Sequence, residues 1–189
     1  VADYVLSRKK GNTVSNLSST RALRDVTETA GGKYTAAAVG EVNVVTAMKD
    51  SKAVIGGEGN GGIIVPDLHY GRDALIGIAL FLSHLARSKR KASQLRASYP
   101  AYFISKNKIE LTPQINVDKV LEEVKSRYAS EKVNTIDGVK IDFETEKEWV
   151  HLRKSNTEPI IRIYAESQNE KKADALAKRI ITDIQNIIA

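Results

Sequence analysis

Residues 150–164 read VHLRKSNTEPIIRIY. Val150 and Leu152 alternate with His151 and Arg153, and Ile161 and Ile163 alternate with Arg162 and Tyr164. A period of two marks strands, whose successive side chains point to opposite faces. The polar stretch between the two runs is then a hairpin connection, with Asn156 tolerant of positive φ and Pro159 stiffening the exit. If the aliphatic residues face a core, Arg153 and Arg162 converge over a turn that also carries the hydroxyls of Ser155 and Thr157. Exposed backbone N–H groups and two guanidinium forks suit a phosphate. An ordinary polar hairpin with incidental arginines is the other reading that the spacing leaves open.

Outward from this hairpin, the second half keeps one grammar. YFISKNKIEL (102–111) is strand-like, and NVDKVLEEVKSRYA (116–129) sets Val117, Val120, Leu121, Val124 and Tyr128 on one helical face. TIDGVKIDF (135–143) signals a hairpin turning at Asp137-Gly138. A last helix begins near Asn169 with Ala173, Leu176, Ala177, Ile180, Ile184 and Ile187 as its stripe. The expectation is an α+β domain, with both helices on one face of an antiparallel sheet.

The first half alternates instead. NTVSNLS (12–18), KYTAAAV (33–39) and AVIGG (53–57) read as strands. RALRDVTETA (21–30), capped by Ser19 or Thr20, and EVNVVTAMKD (41–50), with Val42, Val45 and Met48 at helical spacing, read as helices. GRDALIGIALFLSHLARS (71–88) is apolar almost all round its first turns, which predicts a buried helix. This order predicts an open, mostly parallel α/β sheet, which binds ligands at the carboxyl ends of its strands. The composition shifts near Gln94–Pro100, so the expected domains are residues 1–96 and 97–189.

The bulk numbers permit this. A chain of 189 residues accommodates two cores of about 90 residues each, and 42% hydrophobic with 28% charged residues is ordinary for a globular protein. With no cysteine, neither disulfides nor thiolate metal sites are available, in keeping with a reducing compartment. The longest apolar run, 74–82, is too short to span a bilayer, so no membrane partner is expected. The formal net charge is +6. Its densest cluster, ARSKRKASQLR (86–96), has no interleaved aromatic, and no nucleic-acid partner is expected. The start at Val1, directly in helix-like text, reads as a piece of a longer protein.

GGEGNGGIIVP (56–66) is a second pointed stretch. Five glycines around one glutamate make a loop at a strand end. It fits no dinucleotide fingerprint and lacks the lysine of a P-loop. Glu58 with Asn60 suits hydroxyl recognition, and a flexible turn with an exposed glutamate is the alternative. His69, His84 and His151 show no metal-ligand spacing, so no metal site is expected in this chain.

The pattern Arg-x-Ser-Asn-Thr-Glu-Pro-x-x-Arg closely resembles the phosphate-binding loop in the last domain of the α-D-phosphohexomutases, which include phosphoglucomutases, phosphomannomutases and phosphoglucosamine mutases. The likeness extends through DGVKIDF, the strand of Trp149 and the whole first half. It implies that Arg153, Ser155, Asn156 and Thr157 hold the substrate phosphate, with Arg162 in support. It also matches Glu58 to the sugar-binding glutamate of the third domain, with Asn60 where serine is usual and Gly61-Gly62 in place of bulkier residues. By the same likeness the full-length protein is a cytoplasmic isomerase that exchanges a phosphoryl group between a phosphoserine and a hexose phosphate. The phosphoserine loop and the aspartate loop for Mg2+ do not occur here. The chain would thus comprise domains 3 and 4, packing on missing domains 1 and 2, and would be inactive alone. A non-catalytic sugar-phosphate or anion-binding module is the alternative. AAVGEVN (37–43) lacks the basic residue that some members carry there, so no general base is carried over; Lys33, His69 and Arg72 are candidates by position only.

Overall fold

The computed structural model describes residues 1–112, 114–155 and 158–188. The chain forms two compact units, Val1–Ala101 and Tyr102–Ala189.

In the first unit, β1 (Asn12–Asn16) lies between β2 (Tyr34–Ala37) and β3 (Ala53–Gly57), parallel to both. A two-residue strand, β4 (Ile63–Ile64), returns antiparallel along β3. Helices α1 (Ala2–Leu6), α2 (Ala22–Thr29) and α3 (Glu41–Ser51) accompany these strands. Thr13 of β1 meets α2 through a 2.7 Å hydroxyl pair with Thr27, while neighbouring Val14 packs with Val44 and Met48 of α3. Successive residues of one strand thus bury against different helices, so both faces are covered, as parallel strands require.

Several local expectations change here. Helix α3 buries Val44 and Met48, whereas Val42 is 78% exposed; at the second position of the helix it points away from the sheet. The residue preceding α2 is Arg21, which makes no side-chain cap, and Thr20 Oγ1 instead accepts from Ala22 N at 3.3 Å. Helix α4 (Ala74–Ser88) is properly capped, Asp73 Oδ1 accepting from Ile76 N at 3.0 Å. It is not buried as its composition predicts. Among its residues only Gly77 is buried, and Leu75, Ile78, Phe81 and Leu82 stand exposed. An all-round apolar helix needs cover on every side, and this chain covers one side. A short α5 (Ala92–Ala97) closes the unit. No helix among the described residues is long and apolar enough to cross a membrane.

The second unit is an antiparallel sheet in the order β5 (Phe103–Glu110), β9 (Ile160–Ser167), β8 (Glu148–Lys154), β7 (Val139–Phe143), β6 (Lys132–Asn134). Helices α6 (Val117–Arg127) and α7 (Glu170–Ile188) pack on one face. Asn116 caps α6 by accepting from Asp118 N and Lys119 N, and Asn169 caps the start of α7 by accepting from Lys172 N. The core joins Val120, Leu121 and Val124 to Leu176, Ala177, Ile180 and Ile184 over Ile141, Val150, Leu152, Ile161 and Ile163. Each fully buried isoleucine or leucine contributes about 1.5–3 kcal/mol.

Candidate functional site

Following the chain from β1, one connection leads to β2 on one side and the next returns to β3 on the other. The carboxyl ends of β1 and β3 therefore flank the switch point of the sheet, where open α/β sheets bind ligands. Asn16 ends β1 and Glu58 follows β3 directly. Asn16 Nδ2 donates to Glu58 Oε1 at 3.1 Å, and Arg72 Nη1 stands 3.3 Å from Glu58 Oε2. The Glu58 side chain retains only 7% exposure, so it is not the loose carboxylate of a flexible turn.

The glycine loop is closed on itself: Glu58 N donates to Gly62 O at 3.0 Å and Gly61 N to Glu58 O at 3.1 Å. Asn60 is exposed, and its Oδ1 accepts from Gly62 N, which leaves its Nδ2 as the outward donor. Two clefts adjoin the loop. One of ≈140 Å³ is lined by Ser15, Ser19, Thr20 and Glu58 with apolar neighbours. The other, ≈460 Å³ and open, is lined by Glu41, Asn60, Gly61, Gly62, Arg72 and Ala74. A larger cleft of ≈520 Å³ lies between α1, α2 and residues 98–100, and no motif residue reaches it.

Of the candidate bases, Arg72 is committed to Glu58 and Glu41, and His69 Nε2 lies 3.1 Å from Asp73 Oδ2. Lys33 precedes β2 and bonds to the beginning of β1 through Asn12, which is the amino end of the sheet and the wrong end for the switch point.

In the second unit the alternation read from the hairpin is present. Val150, Leu152, Ile161 and Ile163 are fully buried on the helix side. Arg153 and Arg162 are direct cross-strand partners, and Lys108 of β5 is the partner of Arg162 on its other side. Three cations thus stand in a row across three strands beside the β8–β9 connection. Like charges directly opposite destabilise a sheet, unless an anion is there to receive them. Arg153 Nε donates to Asp137 Oδ1 at 3.0 Å, and Lys108 Nζ lies 3.0 Å from Glu110 Oε1, which together with Glu158 raises the pKa of Lys108. Arg162 is exposed and has no ion pair among the described residues. Lys154 falls on the other face, 3.5 Å from Asp118 of α6. Ser155 is buried at the mouth of the connection, its N–H donating to Ile160 O. Asn156 and Thr157 lie outside the described residues.

His151 shares the arginine face but is 2% exposed. Its Nε2 lies 2.7 Å from the Asp137 carbonyl oxygen, which only accepts, so Nε2 carries the proton. Burial pushes its pKa down. Asp137 thus serves two neighbours, His151 through its carbonyl and Arg153 through its carboxylate. It is placed by Gly138, whose φ is +72° and where a Cβ would stand 2.1 Å from Leu152 O.

Sequence reading missed Asn16, Glu41, Asp137 and Lys108 as site neighbours. The end of β1 beside a switch point was a usable signal for Asn16. Glu41 and Asp137 act through contacts between distant segments, for which a single sequence offers no mark.

Comparison with known proteins identifies the family of each half. The profile described as phosphoglucomutase/phosphomannomutase, alpha/beta/alpha domain III matches residues 1–102, and that described as phosphoglucomutase/phosphomannomutase, C-terminal domain matches residues 108–182. A "Phosphoglucomutase/phosphomannomutase" of Thermococcus kodakarensis is 37% identical over 92% of this chain and 38% of its own length. A "Probable phosphoglucosamine mutase" of Methanopyrus kandleri is 30% identical over 94% of this chain and 39% of its own length. A solved phosphoglucomutase/phosphomannomutase family protein of Burkholderia thailandensis shares the fold, with a TM-score of 0.78 at 23% identity over 98% of this chain and 40% of that one. The chain therefore spans about two-fifths of the length of these relatives, 38% and 39% for the two curated ones. It belongs to the phosphoglucomutase/phosphomannomutase family, carrying that family's domain III and C-terminal domain.

Proposed function

We propose that this chain supplies substrate recognition to a phosphohexomutase that interconverts hexose 1-phosphate and hexose 6-phosphate. The first unit recognises the sugar through Glu58 and Asn60. The second holds the phosphate through Arg153, Arg162 and the connection that begins at Ser155 and includes Asn156 and Thr157. The observation that carries this reading is the cross-strand pairing of Arg153 with Arg162, extended by Lys108, beside that connection. Phosphoryl transfer is chiefly a matter of positioning and charge neutralisation, and fixed guanidinium forks provide both. Asp137 turns the Arg153 fork, while Arg162, with no ion pair among the described residues, has its full charge to give.

The substrate class is a glucosamine, glucose or mannose phosphate. The phosphoserine that exchanges the phosphoryl group belongs to parts of the longer protein that this chain does not contain, so the chain by itself binds without turnover. Mg2+ would be held there as well, since it neutralises charge on the transferring group. The residues present here do not fit that ion: among the described residues no three His, Asp or Glu side chains cluster closely enough to hold one. The exposed apolar side of α4 is the surface on which the rest of the protein packs, and the cytoplasm is the expected compartment.

Titration of the chain with glucosamine 6-phosphate, glucose 6-phosphate, mannose 6-phosphate and inorganic phosphate, followed by amide NMR, tests the reading. Saturable shifts at Ser155–Thr157 that vanish in Arg153→Ala are expected. Shifts at Glu58 and Asn60 that depend on the sugar are expected with one of the three hexose phosphates. Equal responses to all four ligands at Glu58 would refute the sugar assignment.

A further inference from the structure

Glu58 is a nearly inaccessible carboxylate at the open end of a sheet, and its two oxygens are held from opposite sides. From β1, Asn16 Nδ2 donates to Oε1, while Asn16 Oδ1 is itself occupied by Ser18 N at 3.1 Å and Ser19 Oγ at 2.9 Å. From the other side Arg72 Nη1 approaches Oε2. Arg72 does not choose that position by itself. Glu41, in the first turn of α3, accepts from Arg72 Nε at 2.9 Å through Oε2 and from Arg72 N at 2.9 Å through Oε1. Those two bonds also hold the Glu41 carboxyl below the usual range. The loop is shaped for the arginine as well: a Cβ on Gly62 would stand 2.5 Å from Arg72 Cδ and 3.0 Å from its Cγ. With hydrogen there, the stem of Arg72 crosses the loop and its fork lies between two carboxylates.

We propose that Arg72, locked by Glu41, is the positioning residue for Glu58. It fixes the glutamate in one rotamer, so that the lone pairs not used by Asn16 and Arg72 face the ligand. The Glu41–Arg72–Glu58 triad keeps one net negative charge, which favours hydroxyl or ammonium donors of a sugar and disfavours a phosphate at this end. This rests on the assignment of Glu58 to the sugar. A bound carboxylate held in advance spares the ligand the ordering of that side chain.

Side-chain scalar couplings of Glu58 in the isotopically labelled 189-residue chain test the proposal without any ligand. Couplings of a single rotamer are expected in the native chain, and averaged couplings in both Arg72→Met and Glu41→Gln, with amide shifts outside the loop and its neighbours retained. A single Glu58 rotamer in Arg72→Met would overturn the proposal, because Asn16 would then suffice. Glu41→Gln is the milder variant, should removal of the arginine disturb the loop more widely. A second arm measures affinity for glucosamine 6-phosphate against inorganic phosphate. Loss of orientation should weaken the sugar phosphate about tenfold and leave inorganic phosphate unchanged. If Glu58→Gln binds the sugar phosphate as tightly as the native chain, the sugar assignment falls, while the rotamer result stands or falls by itself.

Discussion

Gly138 is occupied by glycine for two separable reasons, and replacing it with alanine adds their effects. Its φ of +72° is left-handed, which costs an L-residue about 1–2 kcal/mol. A Cβ there would also stand 2.1 Å from Leu152 O and 3.2 Å from Arg153 Cα, both backbone atoms of the adjacent strand. Relief requires β7 and β8 to part at the Val139–Leu152 pair, with loss of one or two ladder hydrogen bonds at about 1 kcal/mol each. Together these predict that Gly138→Ala lowers the stability of the second unit by about 2–4 kcal/mol. Trp149, the sole tryptophan, lies on β8 and is fully buried, so its fluorescence during urea unfolding reports on this unit. Gly31→Ala is the control, since Gly31 has φ +78° and a Cβ there would meet nothing within 4 Å. It should cost only the conformational part, about 1–2 kcal/mol, measured by hydrogen exchange in the first unit. Equal losses in the two variants would refute the close-approach reasoning. Gly138→Ala should also loosen Asp137 from Arg153 and weaken the proposed phosphate binding in whatever fraction remains folded.

Arg162→Thr should move stability and binding in opposite directions. Without anion the second unit should gain a few tenths of a kcal/mol from relief of the Arg153 and Lys108 repulsion, while the thermal shift that phosphate is expected to produce at the proposed site of the native chain should disappear; a loss of stability would show that the row is not repulsive. His151, neutral by burial, should make the second unit less stable as pH falls below about 6.5, because the unfolded chain then binds a proton that the folded one resists. A His151→Gln variant should flatten that part of the pH profile of urea unfolding, and an unchanged slope would exclude the histidine. Leu75→Gln and Leu82→Gln on the outer side of α4 should each change stability of the chain by no more than about 0.5 kcal/mol, and a loss of about 2 kcal/mol or more in thermal or urea unfolding would mean that this face is covered within the chain.

The strands and helices were legible because their periods are clean. Val150 to Leu152 and Ile161 to Tyr164 alternate without a break, and α6 and α7 repeat apolar residues on one face. That same alternation placed Arg153 and Arg162 on one face, and register then made them neighbours. Periodicity does not report contacts between segments, so the Glu41–Arg72–Glu58 chain and the service of Asp137 to Arg153 needed coordinates. β4 has two residues, too few for any period to show. The composition of α4 announced that its faces avoid water, but composition is silent on whether the cover comes from the same stretch of chain. His151 was correctly placed opposite the core, yet facing away from one core did not make it accessible.

The short return of β4 along β3 has a consequence for how this protein can change over generations. Glu58 is tied at its base to Gly62 by a backbone bond, and the strands on either side are paired, so the carboxylate is part of the sheet rather than of the loop tip. Gly59, Asn60 and Gly61 form the tip alone. If Glu58 holds the sugar as proposed, substitutions there would alter which sugar is preferred without moving the acid, and drift in specificity would be uncoupled from loss of grip.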